Sequence, residues 1–179
     1  MDKKQLRKQI LSIRNQLSQE EVTKRSGVIC ERLAGSRLWS SCKNVCLYMP
    51  IRNEVDVTML FDTARTQGKK IWLPKVCGDL MDFYLYDEKT KLVPGKYDIK
   101  EPDSSDILEG SDDTLVVMPG AVFSKENDRI GYGGGYYDRY LEKYPKCHTI
   151  AVCYDFQIVD SIPVMEHDKK PDIVISDSV

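Results

Sequence analysis

The run Arg129-Ile130-Gly131-Tyr132-Gly133-Gly134-Gly135-Tyr136-Tyr137-Asp138 constrains this chain more than any other stretch, because four of the five residues from Gly131 to Gly135 are glycine. Glycine has no Cβ, so the backbone reaches positive φ and a ligand can approach the main chain closely. Successive free N–H groups in such a bend form a concave anion site. Arg129 puts a permanent cation with a fork of donors before the bend, suited to phosphate. Asp138 puts a carboxylate after it, a hard ligand suited to Mg2+. Tyr140 and Leu141 continue in an apolar–polar pattern, which predicts a helix starting near Tyr136. A loop leading into a helix N-terminus also favours bound anions. A flexible linker is the bland alternative, but linkers carry Ser and polar residues rather than tyrosines between an Arg and an Asp.

The common phosphate loops do not fit. A Walker loop needs Gly-Lys-Ser/Thr, and this run has no lysine. The dinucleotide fingerprint needs a third glycine where Tyr136 stands, directly after a strand, and Ser124–Asp128 read as polar loop. Residue chemistry alone gives an unusual anion-binding loop with a possible metal ligand.

Met118-Pro119-Gly120-Ala121-Val122-Phe123, followed by Arg129-Ile130-Gly131-Tyr132-Gly133-Gly134-Gly135-Tyr136-Tyr137-Asp138-Arg139-Tyr140-Leu141, resembles the signature of the 5-formyltetrahydrofolate cyclo-ligase family. The resemblance extends over nearly the whole chain. One departure is Asn127, where the family often has glycine two residues before the arginine. Asparagine tolerates the left-handed region better than most residues, so the turn can survive.

At 179 residues the chain is long enough for one well-buried domain, and a single domain over 1–179 is expected. Its 41% hydrophobic and 30% charged residues are ordinary for a globular protein. A net charge of −2 gives no field to attract nucleic acid or anionic lipid. No apolar run approaches the about 20 residues of a membrane span. Six cysteines without a C-x-x-C pair read as small hydrophobes in a reducing cytoplasm. His148 and His167 have no zinc-like spacing.

Leu6, Ile10, Ile13 and Leu17 predict a helix over 2–17, with Lys3, Lys4, Arg7, Lys8 and Arg14 off its apolar face. Ser18 and Glu21 form a capping box for a second helix that stops at Gly35. Apolar runs at 45–49, 70–74, 114–118, 150–154 and 173–175 predict strands alternating with helices. That pattern means a mostly parallel sheet with helices on both faces. A weak strand is expected at 81–86, near an edge, and irregular chain at 92–102. The family resemblance implies the same architecture, a three-layer α/β/α fold, Rossmann-like in broad shape.

The resemblance also implies ligands. ATP is expected against Lys3, Lys4, Arg7, Arg129, Gly131, Tyr132, Gly133, Gly134, Gly135, Tyr136 and Tyr137. Lys3 and Arg7 match a lysine and an arginine four apart that contact ATP in the family. Mg2+ is expected on Asp138 and, through the step after Pro163-Val164, on Asp168. A reduced folate, with or without a polyglutamate tail, is expected against Met49 and Glu54. Lys75 and Tyr97 are weaker candidates near the substrate. Arg129 is the catalytic candidate, and Arg129→Ala is expected to remove turnover with folding intact. The implied reaction is ATP- and Mg2+-dependent closure of 5-formyltetrahydrofolate to 5,10-methenyltetrahydrofolate by a cytoplasmic monomer. A binding protein without turnover and a sugar-phosphate isomerase on a similar fold remain alternatives, and ATP-dependent turnover separates all three.

Overall fold

A computed structural model describes residues 2–178. The helices are α1 (Lys3–Arg14), α2 (Gln19–Ala34), α3 (Arg37–Ser41), α4 (Phe61–Thr66) and α5 (Tyr136–Lys143). The strands β1 (Asn44–Cys46), β2 (Lys70–Cys77), β3 (Leu80–Tyr86), β6 (Thr114–Met118), β9 (His148–Val152) and β11 (Ile173–Ile175) form one sheet. Its order is β11-β9-β6-β1-β2-β3, parallel throughout except for the antiparallel edge strand β3.

Alternation along the central strands builds two cores. Val45, Leu47, Leu115, Val117, Ile150 and Val152 face one side and pack with Ile29, Leu33, Trp39, Leu60 and Ala64 of the α2–α4 layer. Cys46, Val116, Met118, Ala151 and Cys153 face the other and meet Tyr140 and Leu141 of α5. Successive Cβ atoms point to opposite faces, so strands covered on both sides are apolar at every position. This is the expected three-layer arrangement.

Two small sheets were not expected. The stretch 92–102 contains an antiparallel pair, β4 (Leu92–Pro94) with β5 (Lys100–Pro102), around a left-handed Tyr97 and Asp98. The chain before the glycine run also has strand structure: β7 (Val122–Ser124) pairs with β8 (Arg129–Ile130) and with β10 (Ile158–Val159). The glycine run therefore does follow a strand, one of only two residues.

The capping box at Ser18 and Glu21 forms as expected, and Gly35 caps the C-terminus of α2. The first helix stops at Arg14, earlier than its apolar spacing suggests. Its buried face is also rotated. Ile13 is 41% exposed, whereas Arg14 is 1% exposed. Among the described residues no helix is long and apolar enough to cross a membrane.

Candidate functional site

Three segments meet beyond the carboxyl ends of the parallel strands, the usual site position in open α/β sheets. They are the glycine run after β6–β8, the loop after β1 that carries Glu54, and α1, which lies against both. Asn127 adopts φ 67° in the turn before β8, as its side chain permits. Gly133 (φ 101°) and Gly135 (φ 66°) then bend the chain into the start of α5. A Cβ at Gly135 would lie 2.8 Å from the Arg139 guanidinium. That guanidinium donates to the carbonyls of Gly134 (2.7 Å) and Asp79 (2.6 Å), fastening the loop on its outer side. Arg7 Nε donates to the Gly131 carbonyl at 2.8 Å, fastening it on the inner side.

Arg129 is turned inward. Its side chain is 5% exposed, with Nη1 donating to the Pro119 carbonyl at 3.1 Å. Nη2 stands 3.5 Å from Asp138 Oδ1, and Nε is buried with no partner among the described residues. Asp138 Oδ1 also accepts from the Lys169 N–H at 3.0 Å. Asp168 Oδ2 accepts from Lys3 Nζ at 2.5 Å and from the Met165 N–H at 2.7 Å. Burial works to raise the Asp168 pKa, but those two donors outweigh it and hold the carboxyl below its ordinary value. Arg129, Asp168, Lys169 and Lys170 line a cavity of about 230 Å3.

On the other side of the glycine run, Glu54 is 5% exposed rather than a surface glutamate. Oε1 accepts from the Tyr132 hydroxyl at 2.5 Å, and Oε2 from the Ile51 N–H at 2.8 Å. Burial raises its pKa, partly offset by those donors and by Arg14 and Arg52. Tyr132 leaves part of its ring in solvent but turns its hydroxyl inward, where burial and Glu54 raise its pKa. Met49 is half-buried against the core nearby.

Most of the expected site residues thus come together. Lys3 and Arg7 reach the two sides of the glycine run, at Asp168 and Gly131. Tyr137 packs edge-on to Phe83, with the Arg129 guanidinium 5.6 Å from its ring centre. The Tyr136 hydroxyl lies 3.3 Å from both the Tyr97 hydroxyl and Lys96 Nζ, contacts that lower its pKa. Tyr97 is therefore beside the loop, while Lys75 sits over the ring of Tyr84. Lys4 is exposed and makes no hydrogen bond or ion pair among the described residues.

Arg14 joins the site although it was not among the expected site residues. It was placed off the apolar face, yet it is buried and donates from Nη1 to the Tyr132 hydroxyl at 2.8 Å. Its phase was the available signal. Arg14 stands four residues after Ile10 and three before Leu17, in line with the stripe that Ile13 leaves.

The whole chain has known relatives. Residues 1–177 match the sequence model of the 5-formyltetrahydrofolate cyclo-ligase family. A probable 5-formyltetrahydrofolate cyclo-ligase of Schizosaccharomyces pombe is 32% identical, over 98% of this chain and 95% of its own. The NMR structure of Aquifex aeolicus 5,10-methenyltetrahydrofolate synthetase matches with a TM-score of 0.88 at 33% identity, covering 100% of this chain and 91% of that one. A 5,10-methenyltetrahydrofolate synthetase from Mycoplasma pneumoniae matches with a TM-score of 0.77 at 29% identity, over 99% of this chain and 100% of the other. Glycine bend, flanking charges, sheet order and these matches agree: the protein belongs to the 5-formyltetrahydrofolate cyclo-ligase family.

Proposed function

We propose that the protein closes 5-formyltetrahydrofolate to 5,10-methenyltetrahydrofolate, consuming ATP and releasing ADP and phosphate. Beyond family membership, one observation carries this reading. A single glycine bend has cations and carboxylates on one side and, through Tyr132, the buried Glu54 on the other. A nucleotide and a flat, amino-bearing ring can therefore be gripped side by side.

The triphosphate lies against the loop N–H groups, with Lys3, Arg7 and Arg129 supplying positive charge. Glu54 accepts hydrogen bonds from the amino-pyrimidine edge of the folate, and Met49 packs on its ring. Asp138 and Asp168 fit Mg2+ by chemistry. Each uses one oxygen for protein donors and keeps the other without a partner among the described residues. Mg2+ commonly takes one or two carboxylates, with water and phosphate oxygens completing its shell. When bound, the ion offsets phosphate charge.

The formyl oxygen attacks the γ-phosphorus, and the bond to ADP breaks. The oxygen now carries phosphate on an N5-iminium carbon. N10 attacks that carbon and loses its proton, and phosphate leaves with the former formyl oxygen. Phosphoryl transfer of this kind asks the protein mainly for positioning and charge stabilisation. The protein acts as a cytoplasmic monomer on reduced folates, with or without a polyglutamate tail, and involves neither nucleic acid nor membrane.

The test is an absorbance assay for the methenyl product with purified protein, 5-formyltetrahydrofolate, ATP and Mg2+. Product that forms only when both ATP and Mg2+ are present is the expected result. Tight binding of both ligands without product would leave a non-catalytic binder.

A further inference from the structure

Glu54 sits on a turn that the chain does not favour by itself. Arg52 (φ 47°) and Asn53 (φ 58°) are successive non-glycine residues in the left-handed region. Such conformations are disfavoured for residues with a Cβ and persist where the surroundings fix them. Here the end of α1 fixes them. Arg14 Nε donates to the Arg52 carbonyl at 3.1 Å. Asn53 Nδ2 donates back to the carbonyls of Arg14 (3.1 Å) and Leu17 (2.9 Å).

The same guanidinium also reaches the carboxylate indirectly. Arg14 Nη1 donates to the Tyr132 hydroxyl, and that hydroxyl donates to Glu54 Oε1. The order of donors is fixed, because arginine has no acceptor and an ionised carboxylate has no donor. A buried cation, a neutral hydroxyl and a buried carboxylate thus form one polarised line across three segments of the chain. Arg14 Nη2 is buried and has no partner among the described residues, so Arg14 is not fully used by the scaffold.

We propose that Arg14 is a positioning residue for the folate side of the site, holding Glu54 ionised and correctly aimed through Tyr132 and the Arg52–Asn53 turn. Arg14 itself need not touch substrate. Of the other groups around Glu54, Arg52 and the Ile51 N–H also favour its charged form, but neither bonds to the Tyr132 hydroxyl. Arg52 on its own loop faces a carboxylate whose hydrogen bonds go to Tyr132 and the Ile51 N–H. Tyr48 donates to the Val55 carbonyl and Tyr154 to the Glu54 carbonyl, and Tyr137 is buried with its pKa raised by burial and by the Glu54 charge.

The test follows the Glu54 carboxyl directly by 13C NMR through a pH titration of the folded protein without ligands, its signal identified by loss in Glu54→Gln. Arg14→Gln should move the Glu54 midpoint up by about one pH unit, and Arg14→Lys, which keeps the charge, by less. Tyr132→Phe removes the direct donor to Glu54 together with the link and should also move it up, and adding Arg14→Gln to that variant should then move the midpoint less than Arg14→Gln does alone. Arg14→Lys serves as the readout if Arg14→Gln fails to fold. Midpoints unchanged in the folded variants would overturn the inference.

A second arm rests on the proposed cyclo-ligase reaction. There Arg14→Gln should raise the folate KM about tenfold with a smaller change in the ATP KM. If the wild-type protein turns over no formylfolate, that reaction is wrong, and the titration still decides the role of Arg14.

Discussion

Arg129 shows how one residue can belong to both scaffold and site. Sequence reasoning expected Arg129→Ala to remove turnover and leave folding intact. The structure changes the second half, because the guanidinium is buried, bonds to Pro119 and stands beside Asp138. Arg129→Ala should still abolish methenyl formation, and should also cost about 1–3 kcal/mol of stability. Denaturant unfolding of the variant measures that cost, and an unchanged midpoint would show the arginine to be purely functional. Asn127 and Arg14 mark the limits of legibility at this scale. The left-handed turn at Asn127 follows from the conformational preference of one residue, so the sequence could reveal it. The burial of Arg14 depends on Tyr132, more than a hundred residues away, and a charge on a helix reads locally as solvated.

Among the elements, α1 is the one whose role depends most on what it touches. Its Lys3 and Arg7 contact opposite parts of the proposed phosphate side, at Asp168 and Gly131. Removing both side chains in Lys3→Ala/Arg7→Ala should raise the ATP KM at least tenfold. Stability should change by only about 1 kcal/mol, since both contacts are partly exposed. Steady-state kinetics beside a thermal melt separates the two effects. A normal ATP KM in this double variant would remove α1 from the nucleotide site. The strands of the main sheet overlap apolar runs, and they and the capped α2 were legible because local pattern and tertiary burial agree. The pairs β4–β5 and β7–β8 were not, since Pro94, Gly95 and Pro102 or the polar stretch 124–128 interrupt the apolar pattern there and the strands are held by their neighbours.

At the scale of the whole molecule, the site draws on folding stability. Burial raises the folded-state pKa of Glu54 above the ordinary glutamate value of 4.5. As pH falls from neutral toward that value, the folded protein takes up a proton that the unfolded chain does not, so this residue's contribution to stability becomes more favourable. The cost of keeping it charged is greatest above the raised pKa. Subtracting the stability of Glu54→Gln cancels the other titrating groups. The difference, wild type minus variant, should therefore rise as pH falls from neutral toward the ordinary glutamate value of 4.5. Denaturant melts at several pH values check this, and a flat difference would mean that Glu54 is solvated in solution.

The first helix is synthesised early, yet its anchors at Gly131, Tyr132 and Asp168 are among the last third of the chain to be made. A nascent polypeptide on the ribosome can therefore shape much of its sheet while its amino-terminal arm holds only the Arg52–Asn53 turn. On the proposed function, the folate and nucleotide pockets would be completed together, only after translation has passed Asp168.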